Sequence, residues 1–286
     1  MKKILVTGAN GQLGKELRVV AEQFSQFEFL FLSREDLPIH HFELVRNTFA
    51  AFKPDYCINC AAYTAVDKAE SEKELAFIIN AESVGIIAAV AHAMQCKFIH
   101  VSTDYIYDGE QEGEHHEEDI PMPVSVYGQS KLAGEHAAIT NNPDAVIIRT
   151  SWVYSQFGHN FVKTMMRLMK EKPSISVVND QHGSPTWAAD LARFFMQVIL
   201  YKEWVPGVYN FSNKGSITWF DFAEEIKKLI DSKCEIQPIP TVSYPTPAKR
   251  PANSLMSKSK ISSVFGYTPI DWRVSLAACI KQLEGQ

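Results

Sequence analysis

The sequence predicts an α/β protein built on a doubly wound parallel sheet with a smaller C-terminal lobe. Short, continuous Val/Ile/Leu/Phe runs alternate with helical patterns over the first 150 residues. Gly8, Gly11 and Gly14, in G-x-x-G-x-x-G spacing, follow the first run and open the first helix. After about residue 150 the alternation loosens, and Pro238, Pro240, Pro245, Pro247 and Pro251 cluster. Strands that are apolar throughout, rather than alternating, belong to a parallel sheet covered by helices on both faces.

The elements follow in order. Ile4 to Val6 reads as the first strand and Gln12 to Gln23 as the helix after the glycine turn. Phe27 to Leu32 is the second strand. The helix expected over 42–52 stops before Lys53-Pro54, because a proline disfavours helical geometry in the residue preceding it. Tyr56 to Asn59 reads as the third strand, Leu75 to Met94 as an alanine-rich helix, and Lys97 to Ser102 as the fourth strand. Tyr127 to Thr140 reads as a helix and Ala145 to Arg149 as the fifth strand. Helical patterns recur at 161–170, 188–201, 219–230 and 274–283, while the proline cluster reads as irregular. The 286 residues correspond to about two domains at ~150 residues each. The expected division is 1–150 for a cofactor, with about 174–201 returning to it, and 151–286 for a substrate.

Composition narrows the function. Lys and Arg total 28 against 33 Asp and Glu, a net charge of −5. Mild acidity argues against a nucleic-acid surface, so anionic ligands would be held by local amides and cations. The five cysteines are scattered, and Cys57 and Cys60, three apart on a strand, point to opposite faces. They read as structural thiols. The N-terminus does not read as a signal peptide, and no apolar run approaches the ~20 residues of a membrane span. The expectation is a soluble cytoplasmic protein without nucleic-acid or membrane partners. The stretch Asp108 to Asp119 holds seven acidic residues and reads as a solvated loop flanking the site mouth.

Glycines are needed where a chain turns tightly and its amides must touch a pyrophosphate, which the following helix N-terminus also attracts. In this strand–turn–helix context the motif indicates a dinucleotide bound by a Rossmann-type fold. The second strand ends in Ser33-Arg34-Glu35-Asp36. Arg34 favours the 2′-phosphate of NADPH; Glu35 or Asp36 holding a ribose hydroxyl is the other reading, which leaves NADH open. Tyr127 and Lys131 are four apart, on one face of a helix. A nearby ammonium and an oxidised nicotinamide would pull the tyrosine pKa down, fitting it for proton transfer, and the lysine can hold ribose hydroxyls. The fourth strand ends in Ser102-Thr103-Asp104-Tyr105, where ligands of open α/β sheets bind, so Thr103 can hydrogen-bond a carbonyl oxygen beside Tyr127.

With these residues the chain resembles the extended short-chain dehydrogenase/reductase superfamily and, within it, the dTDP-4-dehydrorhamnose reductases. The segments that carry the likeness are 6–14, 59–70, 102–105, Tyr127-Gly-Gln-Ser-Lys131, Arg149-Thr-Ser-Trp-Val-Tyr154, Asn160-Phe-Val162, Asp180-Gln-His-Gly-Ser-Pro-Thr186 and Arg250-Pro251. The resemblance implies a catalytic set of Thr103, Tyr127 and Lys131. It implies cofactor contacts from Gly8, Asn10, Gly11, Gln12, Leu13 and Gly14, from Arg34 and Ile39, and from Ala61, Ala62, Tyr63 and Thr64. Thr103, Asp104, Tyr105 and Trp152 would meet the sugar nucleotide, and Asn160 and Arg250 its diphosphate. Pro38-Ile39 departs from the acidic–aliphatic pair that often lies near the adenine in relatives.

The implied activity is reduction of the C4 keto group of dTDP-4-dehydro-L-rhamnose to dTDP-L-rhamnose, with hydride from NADPH or NADH and a proton from Tyr127. Related dehydratases carry Thr-Asp-Glu where Tyr105 stands here, and related epimerising synthases use a cysteine that this segment lacks. A non-catalytic alternative is an NADP-binding regulatory subunit of the methionine adenosyltransferase type, which would not require the complete catalytic set. Some family members dimerise through Mg²⁺ held by glutamates. Glu16 and Asp190 match two such positions but read as surface carboxylates, so no metal is assigned and the chain is expected to be a monomer or homodimer.

Overall fold

In the computed structural model, which describes residues 1–285, six parallel strands form the central sheet. The chain begins with β1 (Lys2–Thr7), α1 (Gln12–Ala21), β2 (Phe27–Leu32), α2 (Phe42–Phe52) and β3 (Tyr56–Asn59). A short α3 (Val66–Ala69) leads to α4 (Lys73–Phe77), which continues through a π turn at Ile78–Glu82 into α5 (Ser83–Ala93). Next come β4 (Lys97–Thr103), α6 (Val126–Asn141) and β5 (Val146–Thr150). The second half contains β6 (Val153–Tyr154), α7 (Phe161–Glu171), β7 (Ser174–Val178), β8 (His182–Gly183) and β9 (Thr186–Trp187). It continues with α8 (Ala188–Leu200), β10 (Gly207–Phe211), β11 (Ile217–Thr218), α9 (Trp219–Leu229), β12 (Glu235–Ile239), α10 (Ser259–Phe265) and α11 (Trp272–Glu284).

The sheet order is β10-β5-β4-β3-β1-β2. Successive strands therefore build outward in opposite directions from β1 and β3, and the crevice between their C-terminal ends is the switch point at which such sheets bind ligands. Alternation along each strand feeds two cores. Ile4, Val6, Ile58, Ile99 and Ile148 meet Leu17 and Val20 of α1 and Leu191, Phe194 and Phe195 of α8. Leu5, Cys57, Phe98 and Ile147 meet Val45 of α2 and Val84, Ile87 and Ala91 of α5. A third core, with Met165, Ile175, Phe222, Ile226, Trp272 and Leu276, belongs to the second half. Cys57 lies in one sheet core and Cys60 packs on the other, and the five cysteines are free thiols.

Several expectations change. The sheet has a sixth strand, β10, paired with β5. Of the segment 174–201, α8 packs on the first core, but β7 pairs with β12 outside the main sheet. Pro238 sits inside β12, opposite Val177; an edge strand tolerates a proline because its missing N–H can face outward. The continuous helix Lys73–Ala93 contains an 18-residue stretch with a mean hydropathy of 1.7, so by length and composition it could span a membrane. Here it is a half-buried helix, packed against α2 and α6.

The acidic stretch is not simply a solvated loop. His115 and Glu117 are buried. The Glu117 carboxylate accepts the Asn210 backbone N–H at 2.8 Å, and the His115 carbonyl accepts the Asn210 side chain at 3.1 Å. The loop thereby covers β10 and supplies acceptors that its edge would lack. It also completes the surroundings of Arg149, which pairs with buried Glu135 at 2.7 Å and donates to the Tyr107 hydroxyl at 2.9 Å and the Glu117 carbonyl at 3.2 Å. Removing one partner of a buried pair strands the other charge, so Arg149→Met is expected to lower unfolding stability by roughly 3–5 kcal/mol. Urea denaturation measures it, and a loss below about 1 kcal/mol would show that Glu135 finds another partner.

Candidate active site

The turn after β1 depends on close backbone approach. Gly8 has φ +67°, and a Cβ on it would lie 2.6 Å from the Ala61 nitrogen. A Cβ on Gly14 would lie 2.5 Å from the Gly8 oxygen. Gly11 caps α1 without a side-chain hydrogen bond, so the first amides of that helix remain free to donate. Leu13 is buried in the core and offers its amide rather than its side chain, while Asn10 is exposed. This cradle fits a pyrophosphate.

At the far end of β2, Ser33 N–H donates to Asp36 at 2.9 Å, and Asp36 N–H returns a bond to the Ser33 hydroxyl at 3.3 Å. Hydrogen bonds to the carboxylate from the Ser33 side chain and the Ser33 N–H hold the Asp36 carboxyl below its usual range. A hydrogen bond with Ser33 similarly lowers Glu35. Arg34 is exposed and has no hydrogen bond or ion pair among the described residues. Asp36 is thus committed to the turn while the guanidinium is free. Ile39 is buried in the core against α2 and α5.

Ala61, Ala62, Tyr63 and Thr64 leave β3 alongside the glycine turn. Asn80, in the π turn, accepts the Tyr63 N–H at 2.8 Å and donates to the Tyr63 carbonyl at 3.0 Å and to Ser130 at 3.0 Å. π turns often mark functional sites because they re-aim side chains. Here the turn aims an amide that fixes the backbone at Tyr63, a role without a sequence signal inside an alanine-rich helix. The Tyr63 hydroxyl donates outward to Glu72 at 2.6 Å, which pushes its pKa up to about 12.

Ser125 caps α6, accepting the Gly128 N–H at 3.2 Å, and so sets the helix start that carries Tyr127 and Lys131. Both side chains are buried. Burial, helped by the Asp104 charge, pushes the Tyr127 pKa up to about 12 against a hydrogen bond with Thr103 that lowers it. Desolvation is the largest of these influences; the lowering expected for Tyr127 is tied to an oxidised nicotinamide beside it. Lys131 is also desolvated, to about 8, and its ammonium donates to the Val101 carbonyl at 2.6 Å. Thr103 donates to Asp104 at 2.9 Å and accepts the Tyr105 N–H at 3.3 Å. Tyr105 meets Tyr127 edge to face at 5.5 Å. Burial raises Asp104 to about 6, opposed by hydrogen bonds from Ser254 and Thr103, and its Oδ2 is buried without a partner.

The remaining substrate-side residues are engaged elsewhere. Trp152, at the uncommon φ of +47°, stacks on Trp219 with centroids 3.7 Å apart. Arg250 makes a bidentate pair with Asp67, at 3.0 and 2.9 Å. Asn160 was expected at the sugar diphosphate. Its Oδ1 instead caps α7 through Lys163 N–H, and its Nδ2 donates to the Ser155 carbonyl at 2.7 Å and to Gln12 of the glycine turn at 2.9 Å. Asp67, Trp219 and Ser254 were not anticipated, since their partners lie from 67 to 183 residues away in sequence. Glu16 and Asp190 are buried rather than surface carboxylates. Glu16 accepts from Ser155, and Asp190 from Asn213, Ser275 and Arg193. No group of three metal-ligating side chains occurs among the described residues.

A glycine cradle at the switch point of this sheet, with Thr103, Tyr127 and Lys131 at the adjoining strand end, defines an oxidoreductase of the extended short-chain dehydrogenase/reductase type. Residues 1–284 match the RmlD substrate binding domain family, and the chain belongs to the dTDP-4-dehydrorhamnose reductase family. It is 40% identical to the dTDP-4-dehydrorhamnose reductase of Aggregatibacter actinomycetemcomitans, over 96% of this chain and 97% of that one. The crystal structure of a dTDP-4-dehydrorhamnose reductase from Clostridium acetobutylicum superposes with a TM-score of 0.95 at 39% identity, covering 99% of each chain. A Bacillus anthracis dTDP-4-dehydrorhamnose reductase in complex with NADP gives 0.93 at 36%, covering 99% of this chain and 100% of that one.

Asp104 yields a pH-dependent expectation. Its folded pKa lies above the unfolded value of about 3.8. The folded chain therefore binds more protons through that window, and stability falls as pH rises from about 4 to about 6. Asp104→Asn is expected to stabilise the protein by roughly 2–3 kcal/mol at pH 8 and to give no gain below about pH 4. Thermal unfolding across pH checks this; equal effects at both ends would remove the carboxylate as the cause.

Proposed function

We propose that this chain reduces the C4 keto group of dTDP-4-dehydro-L-rhamnose with NADPH to give dTDP-L-rhamnose, the last step in making that sugar nucleotide for cell-surface polysaccharide. The observation that carries the reading is the meeting of Thr103, Asp104 and buried Tyr127 at the end of β4, with Lys131 one turn further along α6. The names of the relatives and the NADP in the Bacillus anthracis structure support it. The complete catalytic set gives the non-catalytic alternative no support.

Gly11, whose N–H closes the turn onto the Gly8 carbonyl, lines the pyrophosphate while the Gln12 and Leu13 amides hold it, Arg34 takes the 2′-phosphate, and Ala61, Ala62, Tyr63 and Thr64 line the ribose and nicotinamide. A nicotinamide bound there supplies the hydride. Thr103 turns its hydroxyl from Asp104 to the sugar C4 oxygen and orients it. Tyr127, kept protonated by burial, donates its hydroxyl proton to that oxygen. Lys131 lends positive charge as the phenolate forms and holds ribose hydroxyls. Arg250 can exchange the Asp67 carboxylate for a sugar diphosphate, since its fork suits either. Tyr105 and Trp152 border the sugar, and Asn160 serves the site through Gln12. The proposed setting is the cytoplasm, in keeping with five free thiols. The proposed assembly is a monomer or homodimer, without nucleic-acid or membrane partners.

The test is NADPH and NADH oxidation across a panel of nucleoside-diphosphate 4-keto sugars. Turnover is expected with the dTDP-4-dehydro-L-rhamnose substrate and faster with NADPH. Tyr127→Phe, which deletes only the hydroxyl, is expected to lower kcat by about 10²–10⁴-fold. Undiminished turnover by that variant would remove Tyr127 as the proton donor.

A further inference from the structure

A row of buried polar side chains crosses the C-terminal edge of the sheet and ends at Lys131. Thr7, Asn59 and His100 are register partners on β1, β3 and β4. All are buried, in strands whose neighbouring side chains are largely apolar. Buried polar groups need partners, so the hydrogen bonds along this row constrain one another. Asn59 Oδ1 accepts the Thr7 hydroxyl at 2.6 Å and the Ala61 N–H at 3.3 Å. A backbone N–H can only donate, which fixes the orientation of the Asn59 amide. Its Nδ2 is therefore the atom 3.1 Å from His100 Nδ1. Because that NH₂ also only donates, Nδ1 is bare, and a neutral imidazole there carries its proton on Nε2. Burial and the nearby lysine charge keep His100 neutral.

His100 Nε2 lies 3.5 Å from Lys131 Nζ. Two donors face each other while the lysine is an ammonium, whereas an uncharged amine accepts the N–H and still donates to Val101. We propose that Asn59 and His100 are positioning residues for the reaction: Asn59 fixes the tautomer of His100, and the His100 Nε2–H weakens the hold of Lys131 on its proton. The inference rests on the reductase reading for the task of Lys131, but the tautomer does not depend on it. The other groups around the lysine come from each packed element. Tyr127 and Glu135 share α6, Cys60 follows β3 as a thiol kept protonated by burial, and Glu135 is turned to Arg149 of β5. Glu135 favours the ammonium, while burial opposes it and prevails, in keeping with a lysine pKa near 8. With the His100 Nε2–H facing the Lys131 ammonium, loss of the lysine proton sets the basic limb of kcat.

Two measurements on the full chain test this. In ¹⁵N-histidine NMR, with His100 assigned by the signal lost in His100→Gln, the ring is expected as the uncharged Nε2–H form from about pH 6 to about pH 9. A proton on Nδ1, or an imidazolium titrating in that range, would overturn the proposal whether or not the chain is a reductase. In pH profiles of kcat, His100→Gln can turn a carbonyl toward Lys131. It is expected to move the basic limb upward by about one pH unit, with the sugar-nucleotide KM nearly unchanged. A lower kcat with an unmoved limb would show a purely structural histidine and overturn the proposal. If that variant fails to fold, Asn59→Asp is the second route. An acceptor opposite Nδ1 draws the ring proton there and is expected to shift the limb in the same direction; an unmoved limb again contradicts the proposal.

Discussion

The fold turns on a backbone-to-backbone contact: Gly8 after β1 lies against Ala61 after β3, with no room for a Cβ between them. Because β1 and β3 are neighbours at the point where the sheet reverses its direction of growth, this contact shapes the floor of the crevice. It lets the Thr7 hydroxyl reach Asn59, and Asn59 reach both Ala61 and His100. A side chain at Gly8 would have to separate the strand ends and would disturb the cofactor cradle and the path to Lys131 together. Glycine is also suited to the left-handed φ that turns the chain toward α1.

The second half is joined to this crevice by polar contacts from its candidate substrate side. Asn160 reaches Gln12, and Arg250 grips Asp67. The Asp67–Arg250 pair is partly exposed and contributes little to stability. Its value lies in geometry, since it ties the segment that carries Arg250 to α3. The buried Glu135–Arg149 pair has a different role. It binds α6, β5 and the acidic loop into one unit, so the helix that presents Tyr127 is anchored well below the reacting end.

Much of the parallel core was legible because its signals are local. Apolar runs at 27–32 and 56–59 and the helical pattern at 42–52 fall on β2, β3 and α2 with the same bounds. The glycine spacing and Tyr127–Lys131 were legible because each combines residue type with position after a strand. The rest depends on contacts distant in sequence. β10 is five residues long and contains Asn210, whose polarity hides the strand until the acidic loop satisfies it. β12 holds a proline that only its edge position permits. Glu16 and Asp190 look like surface carboxylates until Ser155, Asn213 and Ser275 are folded around them. Lys131 could be assigned from spacing, but its surroundings could not, because His100 reads as one more residue in an apolar strand. Nor does spacing show how far burial raises Tyr127.

In the proposed reaction hydride and proton are delivered across one carbonyl, at C4 of the sugar, with Tyr127 as the proton source. The most direct measurement is the fate of deuterium from stereospecifically deuterated NADPH, followed by NMR of the product formed from dTDP-4-dehydro-L-rhamnose. One deuterium is expected, at C4 and in a single configuration, with about 10²–10⁴-fold less labelled product at matched times when Tyr127 is replaced by Phe. Deuterium at another carbon or in both configurations, or labelled product formed by Tyr127→Phe at an undiminished rate, would contradict it.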